Sequence, residues 1–406
     1  MKYWNIRKGL IVELLLLMVI SHTVTGGNLP NKALVVSSFN ISEMCNNNST
    51  SASPSIQIVQ NNIVLAFAAQ NTTGSSNRTI VWDIYLCVFS IENNTIKKIK
   101  STIIGRELSP SQYDMSVALL FNKSEYMVLL APCKDQENGT YIAMLNSTDG
   151  ISWSETVIQY YRHFTFIYDA MMFYPIDVGG MIDDEYLFSV YVLNTITLLS
   201  CEDICLKVCD LQNKNYTKKP ATLATYDLSE GCIARFPRIT KYQNKYILMF
   251  GITDTIMVNI SLGTYMMISD DGFNWSNSTR ISDETYSYPL VVSNDTLCII
   301  NTGGIWLSNN LTNWRNVFSS GYNEPSAVDL GDGRIMIACV RDGDIWVDIV
   351  DLGLGGNGGV IYGEEKYSDT DLYMDNIKLI TTVCVVVFIS GIIYYHLWRR
   401  NYIMKK

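Results

Sequence analysis

Apolar runs of five to eight residues recur along the chain, separated by short clusters of Asn, Asp, Gly and Ser. They include IVLAF (63–67), IYLCVF (84–89), YMVLLA (126–131), YLFSVYVL (186–193), YILMF (246–250), TYMMIS (264–269) and RIMIACV (334–340). Runs of this length, rich in β-branched and aromatic residues and bounded by turn formers, predict strands. No amphipathic stretch is long enough for a substantial helix, so the pattern predicts an all-β fold.

The runs fall into units. Each unit opens on a Pro-containing stretch, turns, and enters a very apolar strand. The clearest openings are SPSIQIVQNNIVLAF (53–67), FPRITKYQNKYILMF (236–250), YPLVVSNDTLCII (288–300) and EPSAVDLGDGRIMIA (324–338), with degenerate units starting near Met115 and Met171. About six such units predict a ring of four-stranded blades, a β-propeller. The early strand ALVVSSF (33–39) is left to complete the last blade. A β-sandwich is the alternative architecture.

The two ends read differently. Residues 1–26 have the basic start, short apolar centre and small-residue close of a cleaved signal peptide. Residues 377–398 include an uncharged run, Leu379 to Trp398, long enough to span a bilayer as a helix. Arg399, Arg400, Lys405 and Lys406 follow it in a short tail (399–406), which places the tail in the cytoplasm and residues 27–350 outside. The Gly-, Asp- and Glu-rich segment 351–376 reads as a flexible stalk. The expected protein is therefore a single-pass type I membrane protein of a cell surface or envelope.

About fifteen Asn-x-Ser/Thr sites, among them Asn40, Asn71, Asn77, Asn122, Asn138, Asn215, Asn259 and Asn294, predict a glycan-coated ectodomain. Of ten cysteines, Cys384 lies in the expected span and nine lie outside it. An oxidising compartment favours disulfides, and the odd number leaves one cysteine free or bridging two chains in a disulfide-linked oligomer. Cys201, Cys205 and Cys209 have no zinc-ligand spacing and read as a stapled loop, with Cys232 as a partner. Of three histidines only His163 belongs to the mature ectodomain, which excludes a His-based zinc site, and no GxSxG elbow supports a Ser-His-Asp triad. The net charge of −9 argues against nucleic acid as a partner. No cofactor or metal is expected.

Two short stretches, STDGISW (147–153) and SDDGFNW (269–275), share the pattern Ser-x-Asp-Gly-x-x-Trp, and SNNLTNW (308–314) is a worn third copy. The residues concerned are Ser147, Asp149, Gly150 and Trp153, then Ser269, Asp271, Gly272 and Trp275. Asp-Gly favours a tight turn, the Ser and Asp side chains can bond turn amides, and the Trp can pack between blades. These stretches resemble the Asp-boxes of the sialidase (neuraminidase) superfamily, and EPSAVDLGDGRIMIACVR (324–341) looks like a blade opening of that family. The resemblance implies a six-bladed propeller, with the boxes on the rim away from the active site.

The resemblance also implies a chemistry. In that family three arginines grip the sugar carboxylate, a tyrosine activated by a glutamate attacks the anomeric carbon, and an aspartate is the acid/base. Ala52 stands where the first arginine is expected. Asp83 follows at about the spacing of the acid/base aspartate, and its other reading is a strand-end Asp bonding a turn. Arg235, in ARFPRI (234–239), is the better arginine match, either through a permuted ring or because blades share this opening. Glu324 and Arg341 resemble the family's glutamate and partner arginine, while Tyr322 resembles the nucleophile; both assignments cannot follow the family's order. A third arginine has to come from Arg280, Arg315 or an earlier blade. Two functions follow: a surface protein that recognises a glycan, sialylated ones included, or a protein receptor, with an incomplete catalytic set; or a divergent exo-sialidase. With this many acceptor sites, treatment of the exported protein with an N-glycosidase is expected to lower its apparent mass on a gel by many glycans' worth; an unchanged band refutes the glycosylated-ectodomain reading.

Overall fold

The first strand of the described residues belongs to the last blade. The computed structural model describes residues 33–45, 49–71, 81–92, 95–108, 115–122, 125–134, 139–162, 164–165, 170–196, 201–213, 219–227, 232–254, 261–292 and 296–354. The expected signal peptide, transmembrane span and tail, most of the stalk, and His163 lie outside these residues. Strand β1 (Leu34–Asn40) leads into a single turn of helix, α1 (Ile41–Met44), capped by the Asn40 side chain, which accepts from the Glu43 N–H.

Six sheets follow. Blade 1 is β2 (Ser51–Val59), β3 (Asn62–Asn71), β4 (Val81–Glu92) and β5 (Thr95–Leu108). Blade 2 is β6 (Ser116–Asn122), β7 (Glu125–Lys134), β8 (Gly139–Ser147) and β9 (Ser154–Arg162). Blade 3 has five strands: the two-residue β10 (Phe164–Thr165), β11 (Ala170–Asp183), β12 (Tyr186–Ile196), β13 (Cys201–Asp210) and β14 (Ala221–Asp227). Blade 4 is β15 (Cys232–Tyr242), β16 (Lys245–Asp254), β17 (Ser261–Ser269) and β18 (Thr279–Ser282). Blade 5 is β19 (Tyr288–Val291), β20 (Leu297–Asn301), β21 (Gly304–Ser308) and β22 (Arg315–Phe318). Blade 6 is β23 (Asn323–Asp329), β24 (Arg334–Arg341), β25 (Asp344–Asp351) and, as its outer strand, β1. The β1–β25 pairing runs antiparallel from Leu34↔Asp351 to Asn40↔Trp346 and closes the ring. The fold is an all-β, six-bladed propeller. Among the described residues no helix is long and apolar enough to cross a membrane.

Six hydrophobic clusters fill the six gaps between neighbouring blades. Strand β3 shows how. Ile63, Leu65 and Phe67 pack toward blade 6, while Val64, Ala66 and Ala68 pack toward blade 2. Successive strand residues face opposite sides of the sheet, so a strand buried on both faces reads as a continuous apolar run. That is why the runs picked out in the sequence do not alternate with polar residues. Trp153 and Trp275 are half-buried, packed at the blade 1–2 and blade 3–4 gaps.

Two expectations are corrected. Cys201, Cys205 and Cys209 do not form a loop: all three lie on β13 at a spacing of four, hence on one face, and Cys205 and Cys209 are buried against blade 2. The stalk does not begin at Asp351, because Asp351 still pairs within blade 6 and Leu352 is buried, its N–H donating to the Gly333 carbonyl.

The innermost strands β2, β6, β11, β15, β19 and β23 pack side by side around the axis. Space there is short enough to dictate residue type. A Cβ on Gly179 of β11 would lie 2.2 Å from the Pro237 carbonyl oxygen of β15. Gly179→Ala is expected to force these two strands apart and to cost about 1–3 kcal/mol of stability in urea unfolding; an unchanged midpoint refutes that close approach.

Candidate functional site at the mouth of the ring

Four of the six inner strands are irregular in the same way. Ser53, Asp177, Phe236 and Glu324 have φ of 50°, 49°, 53° and 47°, and each sits where its strand slips register against the next strand of the blade. Three of the four precede a proline: Pro54, Pro237 and Pro325. The Pro-containing unit opening seen in the sequence is thus a β-bulge at the start of the inner strand. A bulge leaves a backbone N–H without its ladder partner, and the neighbouring blade supplies one. The Ser53 N–H donates to Glu324 Oε2 at 2.7 Å, and the Phe236 N–H donates to Asp177 Oδ2 at 3.2 Å. Further in, Ser326 Oγ accepts from Ile56 N (3.1 Å), Ser55 Oγ from Leu119 N (2.8 Å), and Ser116 Oγ from Val178 N (2.9 Å).

The channel these strands enclose is nearly filled. The cavity lined by Pro54, Ser55, Leu119, Gly179, Arg238 and Tyr288 holds about 30 Å³, room for a water or two but not a sugar. A sugar on the ring axis therefore has to sit above it, at the mouth. There Arg238 Nη1 donates to the Val178 and Pro237 carbonyls (3.1 and 3.0 Å). Burial pulls the Arg238 pKa down, against the pull of Tyr288, Asp177 and Glu324. Arg235 lies on the same strand with its side chain 23% exposed; Nη1 is 4.0 Å from Asp177 Oδ2 and 3.8 Å from Glu202 Oε1. Beside it the rings of Phe236 and Tyr286, both half-buried, lie 4.2 Å apart. Glu202, on β13, is fully buried and receives N–H groups from Ala234 (2.6 Å) and Asn194 Nδ2 (3.2 Å). Burial pushes its carboxyl up to about 7, against the opposing effects of Arg235 and the Ala234 N–H.

Of the residues named from the sequence, Arg235 and Glu324 lie at this mouth. Ala52 stands on the inner strand β2 and is buried. Asp83 is buried at the mouth-side end of β4, the third strand from the axis, opposite Ala69. Tyr322 and Arg341 are drawn elsewhere. Tyr322 is 2% exposed in the blade 5–6 gap, where burial, and then the charge of Asp348, hold the proton on its phenol. Arg341 binds Asp348 and donates to Ser38 Oγ (3.2 Å), on β25 and β1, and lies over the Tyr322 and Trp346 rings at 5.8 and 5.6 Å. A tyrosine so enclosed is not presented to a ligand at the mouth. Arg280 pairs with Asp283 at 2.7 Å on the outer strand of blade 4. The structure adds Asp177, Glu202, Arg238 and Tyr286, which sequence reading did not single out. Among the described residues no group of three or more His, Cys, Asp or Glu side chains is arranged to hold a metal ion.

The three repeated turns all connect the third and fourth strands of a blade, at the opposite end of the ring from the mouth. Asp149 Oδ1 accepts from the Ile151 and Ser152 N–H groups (2.7 and 2.8 Å) and from Ser147 Oγ (2.9 Å), with Gly150 at φ 64°. Asp271 Oδ1 accepts from Phe273 N and Asn274 N (2.8 and 2.7 Å) and from Ser269 Oγ (3.0 Å), with Gly272 at φ 78°. These amides, Ser152 and Asn274 foremost, hold both carboxyls well below the usual range. In the third turn Asn310 replaces the aspartate, accepting from Thr312 N and Asn313 N (3.1 and 2.9 Å), and Leu311 takes the glycine's positive φ of 64°.

The raised Glu202 carboxyl has a pH signature. Between the unfolded value near 4.3 and the folded value of about 7, the folded protein holds a proton that the unfolded chain has released. Stability conferred by neutral Glu202 is therefore complete below about pH 4 and is lost as pH rises toward 7, by ~4 kcal/mol at most. Glu202→Gln is expected to flatten this slope in denaturant titrations between pH 4.5 and 7; an unchanged slope refutes the assignment.

No protein-family model matches the chain, and no curated protein matches it in sequence. Solved structures do match its fold. An α-L-arabinanase of Penicillium chrysogenum complexed with arabinobiose aligns with a TM-score of 0.53 at 12% identity, over 76% of this chain and 95% of that one. An α-L-arabinofuranosidase of Fusarium graminearum with an iminosugar inhibitor gives 0.52 at 12% identity, over 76% and 95%. The Trypanosoma rangeli sialidase in its difluorosialic acid complex gives 0.45 at 12% identity, over 75% of this chain and 54% of that one. At such identities the likeness is one of fold alone, a six-bladed β-propeller.

Proposed function

We propose that this is a surface-displayed, single-pass type I membrane glycoprotein whose propeller mouth binds a glycan without hydrolysing it. The observation that carries the reading is the set at the mouth: a partly exposed Arg235 guanidinium, held only loosely by Asp177 and Glu202, next to the Phe236–Tyr286 aromatic pair. Apolar sugar faces pack on aromatic rings, and a guanidinium fork suits a sugar carboxylate. One of the arabinanase structures of similar fold holds arabinobiose. Catalysis lacks support from the groups named for it: Ala52 replaces an arginine, Tyr322 is enclosed, and Arg341 is neutralised by Asp348. Export and membrane attachment rest on the sequence of residues 1–26 and 377–398.

A divergent exo-sialidase is the second reading. One observation favours it: Glu202, raised to about 7, and Asp177 both flank Arg235. The sialidase resemblance implies a glutamate and an aspartate at the sugar site beside the tyrosine nucleophile. Glu202 is fully buried, however, and can act only through Arg235.

The two readings separate on one preparation. The purified protein is expected to bind glycans on an array, sialylated ones included, and to leave a fluorogenic sialoside intact. Arg235→Ala and Tyr286→Ala are expected to weaken binding at least about tenfold, ~1.4 kcal/mol or more, with the melting transition retained. Robust turnover of the sialoside overturns the binding reading in favour of the hydrolase. Neither turnover nor glycan binding points to a protein receptor as the partner.

A further inference from the structure

The ring is closed by a short stretch of chain that touches both of its end blades. Strand β1 pairs with β25 of blade 6, and Ser42 of α1 accepts the Ile345 N–H of the same blade at 2.9 Å. The next residues reach the other way. Cys45, which ends α1 with its N–H on the Ile41 carbonyl, places its sulfur 2.8 Å from the sulfur of Cys87, in the middle of β4 of blade 1. Cys87 is fully buried and Cys45 nearly so, in the cluster that fills the blade 6–1 gap. We propose that Cys45 and Cys87 form a disulfide that fastens the ring-closing segment to blade 1.

The two thiols differ in a way that suits exchange. Contact with Cys87 lowers the Cys45 thiol to about 7, against burial, with Ser101 and the nearby Lys98 ammonium acting in the same direction. The Cys87 thiol is pushed up by its contact with Cys45 and by burial. Lys98 is held at this spot by donating to the Met44 carbonyl. Cys45 thus supplies the attacking thiolate. It displaces one glutathione thiolate from oxidised glutathione, the oxidant, forming a mixed disulfide. Cys87 then gives its proton to the solvent, and its sulfur attacks Cys45 Sγ and expels the second glutathione. Overall the protein loses two electrons and two protons, and oxidised glutathione becomes two thiols. The reaction belongs to the last stage of folding in an oxidising compartment, once α1 has brought Cys45 to Cys87 and while the joint still opens to admit the oxidant.

The bond crosses the same joint as the hydrogen bond from Ser53 N–H to Glu324. It converts a closure made of strand pairing into one that a covalent link also holds.

The test uses the full-length chain from a secretory host, alkylated without reduction, deglycosylated and digested. Mass spectrometry is expected to find a linked peptide pair containing Cys45 and Cys87, two hydrogens lighter than the sum of the separate peptides and lost on treatment with dithiothreitol. Recovery of both cysteines mainly as alkylated monomers overturns the proposal. A second measurement needs no variant. Reduction is expected to lower the thermal midpoint by about 5 °C and to raise hydrogen exchange in residues 34–45 more than in blade 3. A linked pair whose reduction leaves 34–45 unchanged overturns its role in closure. Cys45→Ser is expected to reproduce the lower midpoint and to abolish its sensitivity to reductant.

Discussion

Everything in this propeller depends on how six inner strands satisfy their backbone groups around an axis with almost no free space. A buried N–H that has left its ladder needs another partner. Here the partner is a side chain of the adjacent blade: the hydroxyls of Ser55, Ser116 and Ser326, and the carboxylates of Asp177 and Glu324. These bonds are directional, which fixes how far the blades slide at the four joints running from blade 6 through blade 1 to blade 4. The hydrophobic clusters between blades are less particular and would tolerate several offsets.

The same bonds explain why the mouth carries charge. Bulged strands at the rim bring carboxylates to the ring centre as structural acceptors, and Arg235 and Arg238 sit among them. Glu324 illustrates the overlap. It stands where family resemblance places a catalytic glutamate, yet its Oε2 holds the Ser53 N–H across the closing joint. Removing it would disturb ring closure as well as any ligand, so loss of function in a Glu324 variant would not by itself identify a catalytic role.

Much of the architecture was legible in the sequence. The six unit openings, near residues 53, 115, 171, 236, 288 and 324, fall on the six inner strands, and residues 33–39 supply the outer strand of blade 6. Legibility came from burial on both faces, which writes each central strand as an unbroken apolar run, and from proline marking three bulges. Asp177 sits at a fourth bulge without proline, so nothing marked it. Glu202 lies among Cys201, Asp203 and Cys205 and reads as a polar edge; its phase with the buried Ile204 and Leu206 was the one available signal. The enclosure of Tyr322 was not legible, because Asp348 and Arg341 meet it only through packing of β24 and β25 against blade 5.

The plugged axis has a consequence for the two faces of the disc. With about 30 Å³ of open volume among the inner strands, no solute larger than water passes from one face to the other. The rim of Asp149, Asp271 and Asn310 turns is therefore chemically insulated from the mouth. A molecule held at one face cannot diffuse along the axis to the other, so each face meets its own set of solutes.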